Sequence, residues 1–322
     1  MTTTTTRPRA PRNDAGFTLI ELMVSVGILM TVSALMMRGT LDMTNLNRKQ
    51  SNLSEMHAGI RNATALLQQE VGQAGRLAFP APVTVAAAIP LGDQSVIVAP
   101  SVTSMFVGEK LVILGSNASG DVEEIVTVTA VDTATNSIRA VFATSYFAGA
   151  RVMPAGGFAE GVIPKTKANG NGSTSSKLKI VGDINSDGSI MYVEYTCDWN
   201  AGRLYRNMMA YDVVPADKPA LAVEQVLLDN LLPNPPDPTG IARPCFTYDQ
   251  RTINGNTYVI NVAIMTTVRT DERDQTTGQF QTVTKALLNV APRNVFNVWQ
   301  IASLNYRSRI EPLPASVLLL LP

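Results

Sequence analysis

Histidine is almost missing from this 322-residue chain, since His57 stands alone. One imidazole cannot build a multi-histidine zinc site, a zincin helix or a bis-histidine haem site. Cysteine is nearly as scarce. Cys197 and Cys245 are the only thiols, too few for a thiolate metal cluster. No G-x-S-x-G, Walker A or C-x-x-C motif occurs. Charge is low at 16% of residues, against about 25% in ordinary soluble proteins, and balanced at 26 basic and 26 acidic side chains. No electrostatic footprint for nucleic acid is present. The familiar catalytic machinery is absent, and no enzymatic activity is expected. Ser, Thr and Asn take over the polar positions, as in exported proteins.

What the chain does have is one long apolar run. Residues 1–16 are polar and carry Arg7, Arg9 and Arg12, and then Phe17 to Met37 is apolar until Arg38. As a helix this run is about 31 Å long at ~1.5 Å per residue, enough to cross a bilayer core. The upstream arginines hold the N-terminus in the cytoplasm. A cleaved signal peptide is the competing reading, with Val32-Ser33-Ala34 as a small-residue cleavage site. Glu21 argues against it. A carboxylate inside the apolar run costs about 2–3 kcal/mol at mid-bilayer and marks a functional position.

Gly16-Phe17-Thr18-Leu19-Ile20-Glu21 resembles the processing motif of type IV prepilins and type II secretion pseudopilins. The resemblance implies that a membrane peptidase cuts after Gly16 and methylates the new amine of Phe17. Glu21 becomes the fifth mature residue and faces the N-terminal amine of a neighbouring subunit. In a low-dielectric bundle, either charge left alone is expensive, so the pair favours one axial stagger. A second stretch, Gln68 to Arg76, resembles the helix-to-head transition of PilW-type minor pilins and GspJ-type minor pseudopilins, as does Pro292-Arg293-Asn294 after a run of strands.

Beyond the membrane run, Leu46, Leu53, Ile60, Leu67 and Ala74 recur every seven residues, with Met56 and Val71 beside them. This predicts an amphipathic helix over 38–79 that packs on the protein's own sheet and is stopped by Pro80 and Pro82. The pattern then turns to β. Val126, Val128 and Ala130 alternate with threonines, and the region 80–155 is expected to form a small β insert. Residues 156–176, ending in a Gly/Asn/Ser-rich stretch, read as a linker. A β head follows over 177–295, with strands expected at 177–181, 190–196, 203–206, 257–269 and 286–290. In the tail, 296–322, the apolar stretch Ala315 to Leu321 is too short to span a membrane.

Three candidate sites lie in the head and insert. Counting Asp183 as the first position, Asn185, Asp187, Gly188, Ser189 and Glu194 fall where an EF-hand loop places its calcium ligands and turn glycine. The strand-like flanks point instead to a plain Asp-Gly hairpin, and both readings stay open. Cys197 and Cys245 form a disulfide if the head folds on the oxidising side, closing a loop worth roughly 4 kcal/mol in a chain-entropy treatment; an unlinked buried pair is the alternative. Tyr192, Tyr195, Trp199 and Tyr205 read as packing rather than a sugar surface. Glu123 and Glu124, adjacent on a strand, face opposite sides.

The expected fold is α+β and type IV pilin-like, with a long N-terminal helix, an antiparallel head and an all-β insert. The expected role is that of a minor pilin in pilus assembly or initiation, serving motility, adhesion or DNA uptake. Type II secretion pseudopilin and membrane-anchored adhesin are the alternatives. No cofactor is required apart from possible calcium. The implied partners are prepilin peptidase, other minor pilins, the major pilin and the inner-membrane assembly platform. The chain waits as a single-pass inner-membrane protein with a periplasmic head, and reaches the pilus or cell surface after assembly.

Overall fold

The computed structural model describes residues 16, 18–167 and 170–322. Its first element is a 55-residue helix, α1 (Leu19–Gln73), about 82 Å long at ~1.5 Å per residue. Thr18 caps it, and no proline interrupts it. The heptad stripe divides along its length. Leu46 is exposed, Leu53 half-buried, and Ile60, Leu67 and Ala74 are buried together with Met56, Ala63 and Val71. Only the C-terminal part of α1 therefore packs on the head, from Lys49, which pairs with Asp274 at 2.7 Å, and Leu53 onward.

The helix stops at Gln73, six residues short of the expected 79. Glycine rather than proline ends it. Gly75 adopts φ +84°, a left-handed conformation that turns the chain off the helix axis. Its amide then donates to Val181 O at 2.8 Å, and residue 75 bridges to Gly182.

Six strands follow: β1 (Val83–Val85), β2 (Gly92–Ala99), β3 (Lys110–Asn117), β4 (Gly120–Asp132), β5 (Ser137–Phe142) and β6 (Arg151–Pro154). They close into an antiparallel barrel in the order β1-β2-β5-β4-β3-β6. Val98, Leu111, Ile113, Val126, Ile138 and Phe142 fill the interior. Closure leaves no free sheet edge, which protects a β-rich module from edge-to-edge pairing.

The segment of linker composition after the barrel is packed. It contains β7 (Gly157–Phe158), and Val162 and Ile163 are buried. Two antiparallel sheets then make the head. One has β8 (Lys177–Gly182), β9 (Met191–Asp198), β10 (Arg203–Ala210) and β11 (Val226–Leu228) in the order β11-β10-β9-β8. In the other, β14 (Asn256–Arg269) pairs with β12 (Leu231–Leu232), β13 (Phe246–Ile253) and β15 (Thr282–Val290). α1 packs on both, and Leu67, Val193, Tyr195, Val259 and Ile264 share one core.

The chain ends in α2 (Arg293–Ser303), β16 (Ile310–Glu311), which pairs in parallel with β7, and α3 (Ala315–Leu320). The apolar tail packs against the other face of the first head sheet. Val317, Leu320 and Leu321 are buried beside Val181, Tyr192 and Met209.

Candidate processing and assembly site

The start of α1 is held by a reciprocal cap. The Glu21 amide donates to Thr18 Oγ1 at 3.3 Å, and Glu21 Oε2 accepts from the Thr18 amide at 3.4 Å. A helix leaves its first amides without partners, and this box satisfies two of them. It also fixes the Glu21 carboxylate at the positive end of the helix dipole. Gly16 is exposed, and a Cβ there would meet nothing within 4 Å. The chain's own packing gives no reason for glycine at this position. Phe17 and residues 1–15 lie outside the described residues.

From Leu19 to Leu46 the helix is unpartnered. Leu19 is 78% exposed, and Met23, Leu29, Leu35, Met43 and Leu46 are exposed with it. The apolar part is long enough to cross a membrane, and none of it is buried inside the protein. Its hydroxyls at Ser25, Thr31, Thr40 and Thr44 are satisfied within the helix. Ser25 donates to Glu21 O at 2.7 Å, and Thr31 donates to Gly27 O at 2.8 Å. Such back-bonding makes these residues compatible with a medium that offers no hydrogen bonds.

At the other end, two polar clusters fix α1 to the head. Glu70, buried on the helix, accepts from Arg206 Nε at 3.0 Å and from Arg206 Nη2 at 2.5 Å, and also from the Tyr195 hydroxyl. Burial and the Glu70 carboxylate push the Tyr195 phenol pKa up. Immediately after the helix, Arg76 pairs with Glu109 and donates to Ser104 O. The Arg76 guanidinium also lies 5.1 Å from the Phe79 ring centre and 5.9 Å from that of Phe106. Glu311 completes this cluster, accepting from the Lys110 and Ala155 amides at 2.8 and 3.2 Å. Helix, barrel and C-terminal segment thus meet at two carboxylates and one guanidinium. Burial raises the Glu109 pKa to about 8, with Arg76 opposing and Glu311 adding to the rise. Burial likewise raises Glu311.

The acidic loop lies in the hairpin between β8 and β9. Asp183 accepts from the Asp187 and Gly188 amides at 3.0 and 2.9 Å, and Asp187 accepts from the Ser189 amide at 2.8 Å. Asn185 and Ser189 are exposed on the same turn. Glu194 does not join them. It sits opposite Lys179, three ladder steps from the hairpin end, about 10 Å along an extended strand. There it accepts from Lys177 at 3.1 Å, Lys218 at 3.3 Å and the Tyr192 hydroxyl at 2.9 Å. Burial alone would raise its pKa, but Lys218, Lys177 and the Tyr192 hydroxyl together hold it below its ordinary value. Among the described residues, no three His, Cys, Asp or Glu side chains converge to hold a metal. The loop also clips the helix end, since Gln73, the last residue of α1, donates to Ser186 Oγ at 3.1 Å.

Cys197 on β9 and Cys245 just before β13 are bonded to each other, with Cα atoms 6.6 Å apart, and the bond joins the two head sheets. Tyr192, Tyr195 and Tyr205 are buried, and Trp199 is half-buried against the main core. Glu123 pairs with Arg309 at 2.5 Å. Glu124 accepts from the Ala143 amide at 2.6 Å and the Tyr146 hydroxyl at 3.2 Å, so the two glutamates serve separate contacts.

Residues 11–37 match the family model described as the prokaryotic N-terminal methylation motif. Neither a curated protein nor a solved structure matches the chain. The matched segment contains Gly16, Thr18, Glu21 and the exposed apolar run. It supports a type IV pilin-like chain and indicates a pilin or pseudopilin substrate of prepilin peptidase, anchored by one N-terminal helix.

Proposed function

We propose that this chain is a minor pilin of a type IV pilus, cut after Gly16, methylated on Phe17 and used in assembling or initiating the filament. The observation that carries the reading is the methylation motif at the start of a helix whose N-terminal part is apolar and unpartnered. Such a helix has two environments open to it: lipid before assembly and neighbouring helices after it. In the second, Glu21 exchanges its own helix cap for the amine of an adjacent subunit. Other minor pilins, the major pilin and the inner-membrane platform are the partners this role requires. The head stands in the periplasm before assembly and at the cell surface afterwards.

The test is deletion of the gene, with pilus material sheared from the cell surface as readout. Loss of filaments, restored by the wild-type gene but not by Gly16→Asp, supports the role. Normal filament yield with loss of protein secretion would reassign the chain to a type II system, as a pseudopilin. Normal yield with loss of surface attachment alone would make it a membrane-anchored adhesin.

A further inference from the structure

The first turn past α1, the seam of the barrel and the end of α2 enclose an apolar cleft of about 570 Å³. Leu77, Phe79, Met153 and Ile301 are among its lining residues, and Arg151 and Arg309 stand in the same wall. Met153 is 41% exposed, an unusual position for a thioether beside a filled barrel. The cause is local. β1 pairs with β6 only at Val83–Val152 and Thr84–Arg151. Pro80, Pro82 and Pro154 occupy the positions just beyond that seam, and proline cannot donate to a ladder. The β1–β6 ladder therefore ends there, and the outward side chain of Met153 lines the cleft beside the seam.

Charge limits what can fill it. Arg151 has no ion-pair partner among the described residues, while Arg309 is held by Glu123. An apolar floor beside an arginine with no counter-charge suits an apolar ligand that carries a carboxylate or another anion. A fatty acid or an acidic lipid has that chemistry, but the membrane is far away. The cleft begins just past Gln73, and the helix rises roughly 54 Å between Met37 and that residue at ~1.5 Å per residue. A nucleic acid would need a broad basic surface, whereas the chain has no net charge and this floor is apolar.

We infer that the cleft receives an apolar peptide segment flanked by carboxylates, presented by a partner polypeptide at the membrane-distal end of the subunit. Apolar side chains of that segment enter between Phe79 and Met153, and a carboxylate pairs with Arg151. The inference requires the membrane anchoring of α1 but not the choice between pilus and secretion system.

The experiment uses the full chain in lipid nanodiscs and a fluorescein-labelled peptide of leucines flanked by aspartates, followed by fluorescence anisotropy. A matched peptide flanked by lysines is the control. Saturable binding of the acidic peptide, weakened about tenfold by Arg151→Glu and retained by Arg151→Lys, supports the inference. Met153→Lys, which changes an exposed side chain, abolishes binding while the thermal transition of the head stays in place. Equal binding of both peptides, or no effect of Arg151→Glu, overturns it. So does self-association of the peptide-free chain that Arg151→Glu abolishes, because the occupant would then be a second copy. Normal filament yield after deletion of the gene, with peptide binding intact, would be failure of the proposed function and would leave this site supported.

Discussion

The two ends of α1 are one continuous helix with opposite relations to the rest of the protein. Between Leu53 and Val71 its apolar side chains are covered by two β-sheets, and its one buried charge, Glu70, is matched by Arg206 and Tyr195. Between Leu19 and Leu46 the side chains are as apolar but uncovered, and the one carboxylate in the apolar run, Glu21, is satisfied only by its own helix end. Residue type therefore does not define the core here; partners do. The covered half is complete in the monomer. The uncovered half is complete only in lipid or among other helices.

Substitutions can break this comparison, in descending order of effect on the head. Glu70→Ala leaves the Arg206 guanidinium without its buried partner and is expected to cost about 3–5 kcal/mol, read as a large fall in the urea midpoint of the head. Leu67→Ala opens a cavity under the sheets and is expected to cost about 2–5 kcal/mol. Leu29→Ala, in the uncovered half, should shift the same midpoint by no more than about 0.5 kcal/mol. Comparable losses from Leu67 and Leu29 would erase the distinction between the halves.

Smaller effects sharpen the account of the junction. Glu109 has an ordinary carboxylate value of 4.5 that burial raises to about 8 in the folded protein. The folded state therefore keeps a proton that the unfolded chain gives up. The stability this contributes is full below pH 4.5 and lost as pH rises through about 8. Tm is expected to decline across that window in wild type and to decline less in Glu109→Gln, as measured by calorimetry. The smallest expected effect is that of calcium. With Asp183 and Asp187 committed to backbone amides and Glu194 to lysines, neither calcium nor chelator should move Tm. A calcium-dependent rise would restore the EF-hand reading.

Much of the anchor could be read directly from residues. An apolar run with a glutamate in it, after a glycine and three arginines, is local information. The stripe from Leu53 to Ala74 is local as well. What escaped the reading was of three kinds. β13 has the sequence Phe-Thr-Tyr-Asp-Gln-Arg-Thr-Ile, and a half-solvated strand with so few apolar residues gives little alternation to detect. α2 follows a proline without a side-chain cap and carries no start signal beyond that proline. The Arg76 cluster joins residues 33 and more than 200 positions apart, and no spacing rule links them. Glu194 shows the converse error. Its spacing from Asp183 fits a loop that curls back on itself, but an extended strand carries the same residue away from the turn.

The most direct measurement is the mass and sequence of the N-terminus after co-expression with a prepilin peptidase. The account predicts a single cut between Gly16 and Phe17, a methylated Phe17 amine, and a full-length precursor when Gly16→Asp is expressed. A chain left uncut, or cut after Ala34 with the helix released from the membrane, would contradict it.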